Sequence, residues 1–496
     1  MTSPITKNTF YLTSALVAQK FFSFIYFTLI ARQMGVAAIG LYTIALSFSS
    51  LFSVLTDLGL TPVLIREGAK DNQKAGALLG NLLTLKIFLA LFAYAFLNLV
   101  VYLLGYPVIQ RELIWLSGLI MALDAFSLSF YGVLRSFQKL SFEAVGMVGG
   151  QIITIVAGLI VLKFNGSLIF LLLALALGSL FNVCWSGMNL IWRYQVWPRF
   201  LFNVSLLKTM ARYALPFALA GIFVKVYSYI DVIILSRLLG PKEVGWYSVP
   251  SKITFAFQFI PMALAASLYP AMSQFFVQDR ARLRAVFEKG LLYLAMLALP
   301  ISFGLAVLGE LLIVKLYGPA YLPSILPLKI LLASLVFAFL DFPVGSLLNA
   351  CHRQSAQTTV MGGTMTLNII LNLILIPNFG ILGAAISALA GNFILFLAGF
   401  LWVPKIIPWP NIGFWWKMLK TLLAAAVMGG VIWLMRAPLA YLFAPQGFVL
   451  TTIYLGSLVL SGAAVYAVLL LAFGLISKEK VKEMVGMLKK NYDKIP

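Results

Sequence analysis

Residues 9–42 read TFYLTSALVAQKFFSFIYFTLIARQMGVAAIGLY. From Thr9 to Ile30 an apolar run is broken by one charge, Lys20, and a run of about 20 such residues is long enough to cross the ~30 Å hydrocarbon layer of a bilayer. It is too long for the core of a signal peptide, and no small-residue cleavage site follows, so it is expected to stay as a first spanning helix. The chain then turns through Arg32-Gln33-Met34-Gly35 and Gly40-Leu41-Tyr42. The same pattern returns at an offset of 205 as Arg237-Leu238-Leu239-Gly240 and Gly245-Trp246-Tyr247, and that offset carries Lys20 onto Lys225.

Runs like the first recur almost without pause to Ile476. Of 496 residues 62% are hydrophobic and 10% charged, against roughly 25% charged in a soluble domain, so nothing polar could cover a soluble core. Lipid admits only helices and closed barrels, and the runs lack the period-2 alternation of barrel strands. The fold expected is all-α and polytopic, with about fourteen transmembrane helices at about 9–34, 38–64, 75–104, 112–137, 141–163, 167–193, 206–239, 244–274, 284–315, 322–350, 354–376, 380–403, 414–436 and 446–475. The loops that alternate between them are unequal in charge. One set holds Lys7, the Arg66–Lys74 cluster, Arg135, Lys139, the Arg193–Arg212 and Arg280–Lys289 clusters, Arg353, Lys405, Lys417, Lys420 and the lysines after Ile476. The other holds only Arg32, Arg111, Lys163, Arg237, Lys242, Lys315 and Arg436. Positive charge stays inside, which puts both termini in the cytoplasm and the chain in the cell (cytoplasmic) membrane.

The internal repeat drifts in offset along the chain, with Asp124 falling on Asp341 and Gly149 to Gly166 near Gly363 to Gly380. Four matches in sequence order predict an N-lobe of helices 1–6 (residues 1–200) and a homologous C-lobe of helices 7–12 (205–405). Helices 13–14 (410–476) and a basic amphipathic cytoplasmic tail (477–496) follow, the tail read as lying on the inner leaflet. An even number of spans per lobe gives both repeats one orientation, as in transporters whose halves are related by an axis along the membrane normal, and the cavity between the lobes is the default substrate site.

Two cysteines, Cys184 and Cys351, and one histidine, His352, supply neither a disulfide framework nor a metal site. No nucleophile with its base and no nucleotide loop appears, so neither an enzyme nor a cofactor is expected. The net charge of +21 is scattered between spans, which does not suit nucleic acid.

Three runs resemble the C-lobe signature of polysaccharide flippases of the multidrug/oligosaccharidyl-lipid/polysaccharide exporter superfamily. They are Asn349-Ala350-Cys351-His352-Arg353-Gln354, the stretch from Asn368 through Asn372 to Pro377, and Gly380-Ile381-Leu382-Gly383-Ala384-Ala385. The N-lobe agrees with it at Arg32-Gln33-Met34-Gly35, Gly40-Leu41-Tyr42, Asp57-Leu58-Gly59-Leu60 and Leu64-Ile65-Arg66-Glu67, and the similarity covers about residues 9–405. The resemblance implies a fourteen-helix flippase moving a polyprenyl-diphosphate-linked oligosaccharide from the cytoplasmic to the outer leaflet by alternating access. Lipid II flippases of the superfamily carry an Arg-Asp pair one to two turns before the Ala31-Arg32-x-x-Gly35 turn. Here Tyr26 and Phe27 stand there, which favours O-antigen, capsule or exopolysaccharide units.

Within the spans, a charge at a helix centre costs about 2.5–3.5 kcal/mol on insertion scales and is expected to face protein or water. Lys20 and Lys225 at matched depths could receive a diphosphate as compact cations on mobile stems, or could pair with carboxylates or snorkel to the interface. Asp57, Asp124 and Asp341 could couple transport to an ion, or could be structural partners of Lys20, Lys86 or Lys225. Asp231 and Lys252 are expected to pair with each other. Arg32 and Arg237 are interfacial anchors or an outer gate. Gln151, Asn368 and Asn372 are interhelical amides or sugar contacts. Pro216, Pro261, Pro270 and Pro300 should kink their helices.

The partners this reading expects are the lipid-linked glycan, membrane lipids, and a glycan polymerase or glycosyltransferases. Two alternatives remain. A sodium- or proton-coupled multidrug exporter of the same superfamily would prefer a carboxylate-lined cavity, and a membrane scaffold for glycan assembly would have no use for duplicated polar pairs.

Overall fold

The computed structural model describes residues 4–164, 166–443 and 447–476; the basic tail lies outside them. The helices are α1 Pro4–Met34, α2 Val36–Asp57, α3 Leu60–Lys70, α4 Ala75–Leu103, α5 Val108–Ser136, α6 Leu140–Lys163, α7 Leu168–Tyr194 and α8 Val204–Leu238. They continue with α9 Pro241–Ala256, α10 Phe259–Gln278, α11 Arg280–Tyr317, α12 Ile325–Ala350, α13 Gln354–Phe379, α14 Ile381–Phe400, α15 Ile412–Phe443 and α16 Gly447–Ala472. Fourteen spans among the described residues are long and apolar enough to cross a membrane, α9 and α10 forming one of them.

The sequence placed one helix over 38–64. The structure ends it at Asp57, because Leu58 (φ 44°) and Gly59 (φ 76°) are both left-handed and break the i to i−4 ladder. Gly59 also meets α8, where a Cβ would come within 2.6 Å of the Ala214 carbonyl. The short α3 that follows is amphipathic. It buries Leu60, Val63 and Leu64 and turns out Arg66, Glu67 and Lys70, whose ammonium donates to Glu67 at 3.0 Å and draws that carboxyl below its usual range. Of the four prolines expected to kink helices, Pro261 breaks one outright. It has no N–H to give the Phe257 carbonyl, and the turn tightens at Phe257 and Gln258, whose N–H groups reach back only three residues. Pro216, Pro270 and Pro300 sit inside continuous helices.

The chain forms two compact units. The first comprises Met1–Phe259, Ile313–Pro327 and Thr358–Gly391. Its core gathers Leu60, Leu64, Leu79, Leu82, Leu134, Met210 and Ala214 where α3, α4, α5 and α8 meet. The second comprises Ile260–Leu312, Leu328–Gln357 and Asn392–Pro496. There Phe287, Leu299, Val344, Met428 and Leu458 of α11, α12, α15 and α16 interlock, and Tyr466 donates to the Met296 carbonyl at 3.0 Å. Lipid is as apolar as leucine, so such contacts hold through close packing and hydrogen bonds and not through expulsion of water. The units divide the chain at different places from the repeat, since α8 and α9 pack on α2.

Candidate functional site

Within the first unit lies a cavity of about 880 Å³. Its wall is apolar over most of its area but carries polar side chains from five helices: Ser49, Ser50, Ser53 and Asp57 from α2, Asp124 and Tyr131 from α5, Glu143, Gln151 and Thr154 from α6, Ser179 and Asn182 from α7, and Lys225 from α8. Two glycines bring α6 and α7 together behind this wall. A Cβ on Gly178 would lie 2.7 Å from the Gly150 carbonyl, so the backbones touch and Thr154, Ser179 and Asn182 face the space. Tyr131 donates to Asn182 at 2.8 Å, and Arg135 holds Glu143 through Nε at 2.7 Å.

Each charged residue singled out in the sequence acquires a definite setting. Asp57 pairs with the fully buried Lys86 at 2.8 Å, and Lys86 also donates to the Ala125 carbonyl at 2.8 Å and to Thr61 at 3.2 Å. Thr61 in turn donates its backbone N–H and hydroxyl to Asp57 across the α2–α3 break. Asp124 accepts from Ser179 and attracts Lys225. Asp341, in the second unit, has an Oδ1 that is buried with no hydrogen-bond partner among the described residues. Gln151 lines the cavity, whereas Asn368 and Asn372 are buried, bonded to each other and to the Ser387 carbonyl between α13 and α14. Arg32 donates to the Lys315 carbonyl at 3.2 Å, and Arg237 follows Ser236, which shares a hydrogen bond of 2.6 Å with Tyr106.

One expected pair does not form. Asp231 accepts from the Tyr247 hydroxyl at 2.6 Å, and Lys252 lies five residues beyond Tyr247 on α9, about 140° around a helix of 3.6 residues per turn. It therefore faces α1, where it donates to Ser23 at 3.1 Å and lies 5.3 Å from the Phe27 ring centroid. Lys20 sits 4.3 Å from the ring centroid of Phe255, which lies three residues beyond Lys252 on the same face of α9. Among the described residues neither makes a salt bridge. Lys252 is the residue that sequence reasoning misassigned. Its signal, a lysine in the middle of an apolar span, was visible, but which face of the helix it occupied was not.

Residues 5–276 match the polysaccharide biosynthesis protein family, and residues 216–374 match the MatE family. The chain is 24% identical over 433 residues to the probable low-salt glycan biosynthesis flippase Agl15 of Haloferax volcanii, covering 82% of this chain and 85% of that one. It is 21% identical to the capsular polysaccharide biosynthesis protein CapF of Staphylococcus aureus, over 81% of this chain and 100% of the relative. Its fold is shared with the lipid II flippase MurJ in an inward closed conformation, at a TM-score of 0.73 and 16% identity, covering 92% of this chain and 97% of that one. It is also shared with an inward-facing multidrug resistance MATE transporter, at 0.65 and 15% identity over 79% and 97%. These families comprise transporters and flippases, not enzymes. A match over more than half of its length, on a fourteen-span helical fold, establishes that the chain belongs to the polysaccharide biosynthesis protein family, the flippase branch of the multidrug/oligosaccharidyl-lipid/polysaccharide exporter superfamily.

Proposed function

We propose that this protein moves a polyprenyl-diphosphate-linked oligosaccharide from the cytoplasmic to the outer leaflet of the cell membrane by alternating access, with both termini cytoplasmic. The observation that carries this reading is the juxtaposition of Lys20 and Lys252. Two cations brought to one face of α9 inside membrane spans, in no salt bridge among the described residues, raise the energy of the empty carrier and favour an anion. Lys225, which lines the cavity together with Asp124, offers a third cation. A diphosphate is the anionic part of such a substrate, and Gln151 with the cavity hydroxyls suits its sugars. Relatives named for glycan flipping and capsular polysaccharide support the same class.

Asp57 serves as the partner of Lys86 in this reading, which leaves Asp341, whose buried Oδ1 has no hydrogen-bond partner among the described residues, as the residue to couple transport to an ion gradient. Glycan polymerases or glycosyltransferases are the expected protein partners. The MatE match favours one rival, a coupled multidrug exporter. Reconstitution into vesicles decides between them. Passage of a lipid-diphosphate sugar, lost in Lys20→Ala/Lys225→Ala and in Lys252→Gln, supports the flippase. Passage of an organic cation with none of the lipid refutes it, and passage of neither leaves the scaffold.

A further inference from the structure

The first unit holds a second cavity, on the far side of a helix that walls the first. Glu143, Met147, Gly150 and Thr154 of α6 face the first cavity. Val145, Val148 and Ile152, on the opposite side of a helix of 3.6 residues per turn, face a cleft of about 1120 Å³ against α1. The two helices touch at one level, where a Cβ on Gly158 would overlap the Tyr26 hydroxyl. Toward their N-terminal ends they part, and the turn through Gln138 and Lys139 that joins α5 to α6 borders the space between them.

This cleft is graded as a lipid is. At its N-terminal end stand Ser14, Gln138, Lys139 and Ser141, and Lys139 is the one charge that lines it among the described residues. Farther along, the lining is apolar, through Ala15 and Ala18 on α1 and from Ala144 to Ile152 on α6. Val145 and Ile152, two turns apart on one face, are 53% and 49% exposed, so the cleft stands open to the surrounding acyl chains. From Ser141 to Ile152 a helix rises about 17 Å, close to half of the ~30 Å hydrocarbon layer, so the cleft is one leaflet deep. The loop charges assign the α5–α6 corner to the cytoplasmic side, whose leaflet carries anionic headgroups. A phospholipid matches this space: its phosphate meets Lys139 and its chain ends near the midplane. A polyprenyl chain is longer than one leaflet is deep and overruns it.

We propose that the cleft between α1 and α6 holds one anionic phospholipid of the inner leaflet, its phosphate at Lys139 and an acyl chain along Val145, Val148 and Ile152. Seated there, the lipid braces from behind the helix that carries Gln151 and Thr154 into the first cavity. The test uses delipidated full-length protein in detergent with added dioleoylphosphatidylglycerol or dioleoylphosphatidylcholine. Native mass spectrometry reads the first lipid retained, and thermal unfolding reads its effect on the fold. Wild-type protein should retain the first phosphatidylglycerol several-fold better than phosphatidylcholine and unfold at a higher temperature with it. Lys139→Gln, at an exposed position, should bring phosphatidylglycerol down to the phosphatidylcholine level. Ala18→Phe, which fills the cleft, should lower retention of both lipids and remove the thermal gain. A preference for phosphatidylglycerol that survives in Lys139→Gln overturns the site, and this variant decides the matter if Ala18→Phe does not fold. First-lipid retention unchanged in folded Ala18→Phe overturns it as well. So does a polyprenyl diphosphate retained in preference to phosphatidylglycerol and released by Lys139→Gln, which gives the cleft to the substrate. These readouts need no transport, so they stand or fall independently of the flippase reading.

Discussion

Lys86→Ala is expected to destabilise the first unit far more than a typical substitution. The ammonium is fully buried, pairs with Asp57 at 2.8 Å and donates to two further oxygens, and Asp57 itself is 16% exposed. At an effective dielectric of about 20, two unit charges 2.8 Å apart attract by about 6 kcal/mol. Desolvation of both ions offsets much of this, but removing one partner leaves the other uncompensated, at a cost of about 3–5 kcal/mol. Asp57→Asn/Lys86→Met, which removes both charges and keeps an acceptor for Thr61, should recover most of the loss. Equilibrium unfolding of the protein in bicelles or nanodiscs, with Lys86→Met, Asp57→Asn and the double variant as a cycle and Lys86→Ala beside it, measures the coupling. A Lys86→Ala protein as stable as its parent, or a double variant whose loss equals the sum of the singles, would refute the ion pair as the tie across the α2–α3 break.

Lys252→Gln should stabilise the empty protein, in the ~0.5–2 kcal/mol range of a single favourable change, while abolishing flipping; a variant that is less stable, or that transports normally, contradicts the argument from the two cations. Asp341→Asn should leave expression and folding intact and remove dependence on an ion gradient, read as flipping rates with and without imposed sodium and proton gradients. Gly178→Val places a side chain where the Gly150 carbonyl stands 2.7 Å from a Cβ, and should cost about 1–3 kcal/mol of overpacking with loss of the cavity's α7 wall. A thermal-unfolding curve that matches the parent would show that α6 and α7 do not need to touch.

Spans are legible in sequence because the bilayer constrains them one at a time, through length and apolarity, and all fourteen appear where hydropathy put them. The break after Asp57 was not legible. Leu58 is an ordinary helix former, yet it takes φ 44° between Asp57, tied to Lys86, and Gly59, pressed against α8. Asn368 and Asn372 looked as suited to sugars as Gln151 did; burial between α13 and α14 separated them.

By itself the sequence determined the membrane class, the number of crossings, the repeat and the set of charges inside the spans, since each depends on composition or spacing along one chain. Tertiary structure alone decided which charges meet. Lys252 turned away from Asp231 and toward Lys20 because side-chain direction on a helix advances about 100° per residue and the partner is set by whichever helix packs on that face. The matched glycines needed both sources: the repeat showed that Gly40 and Gly245 correspond, and only the packing of α2 on α9 showed that they touch.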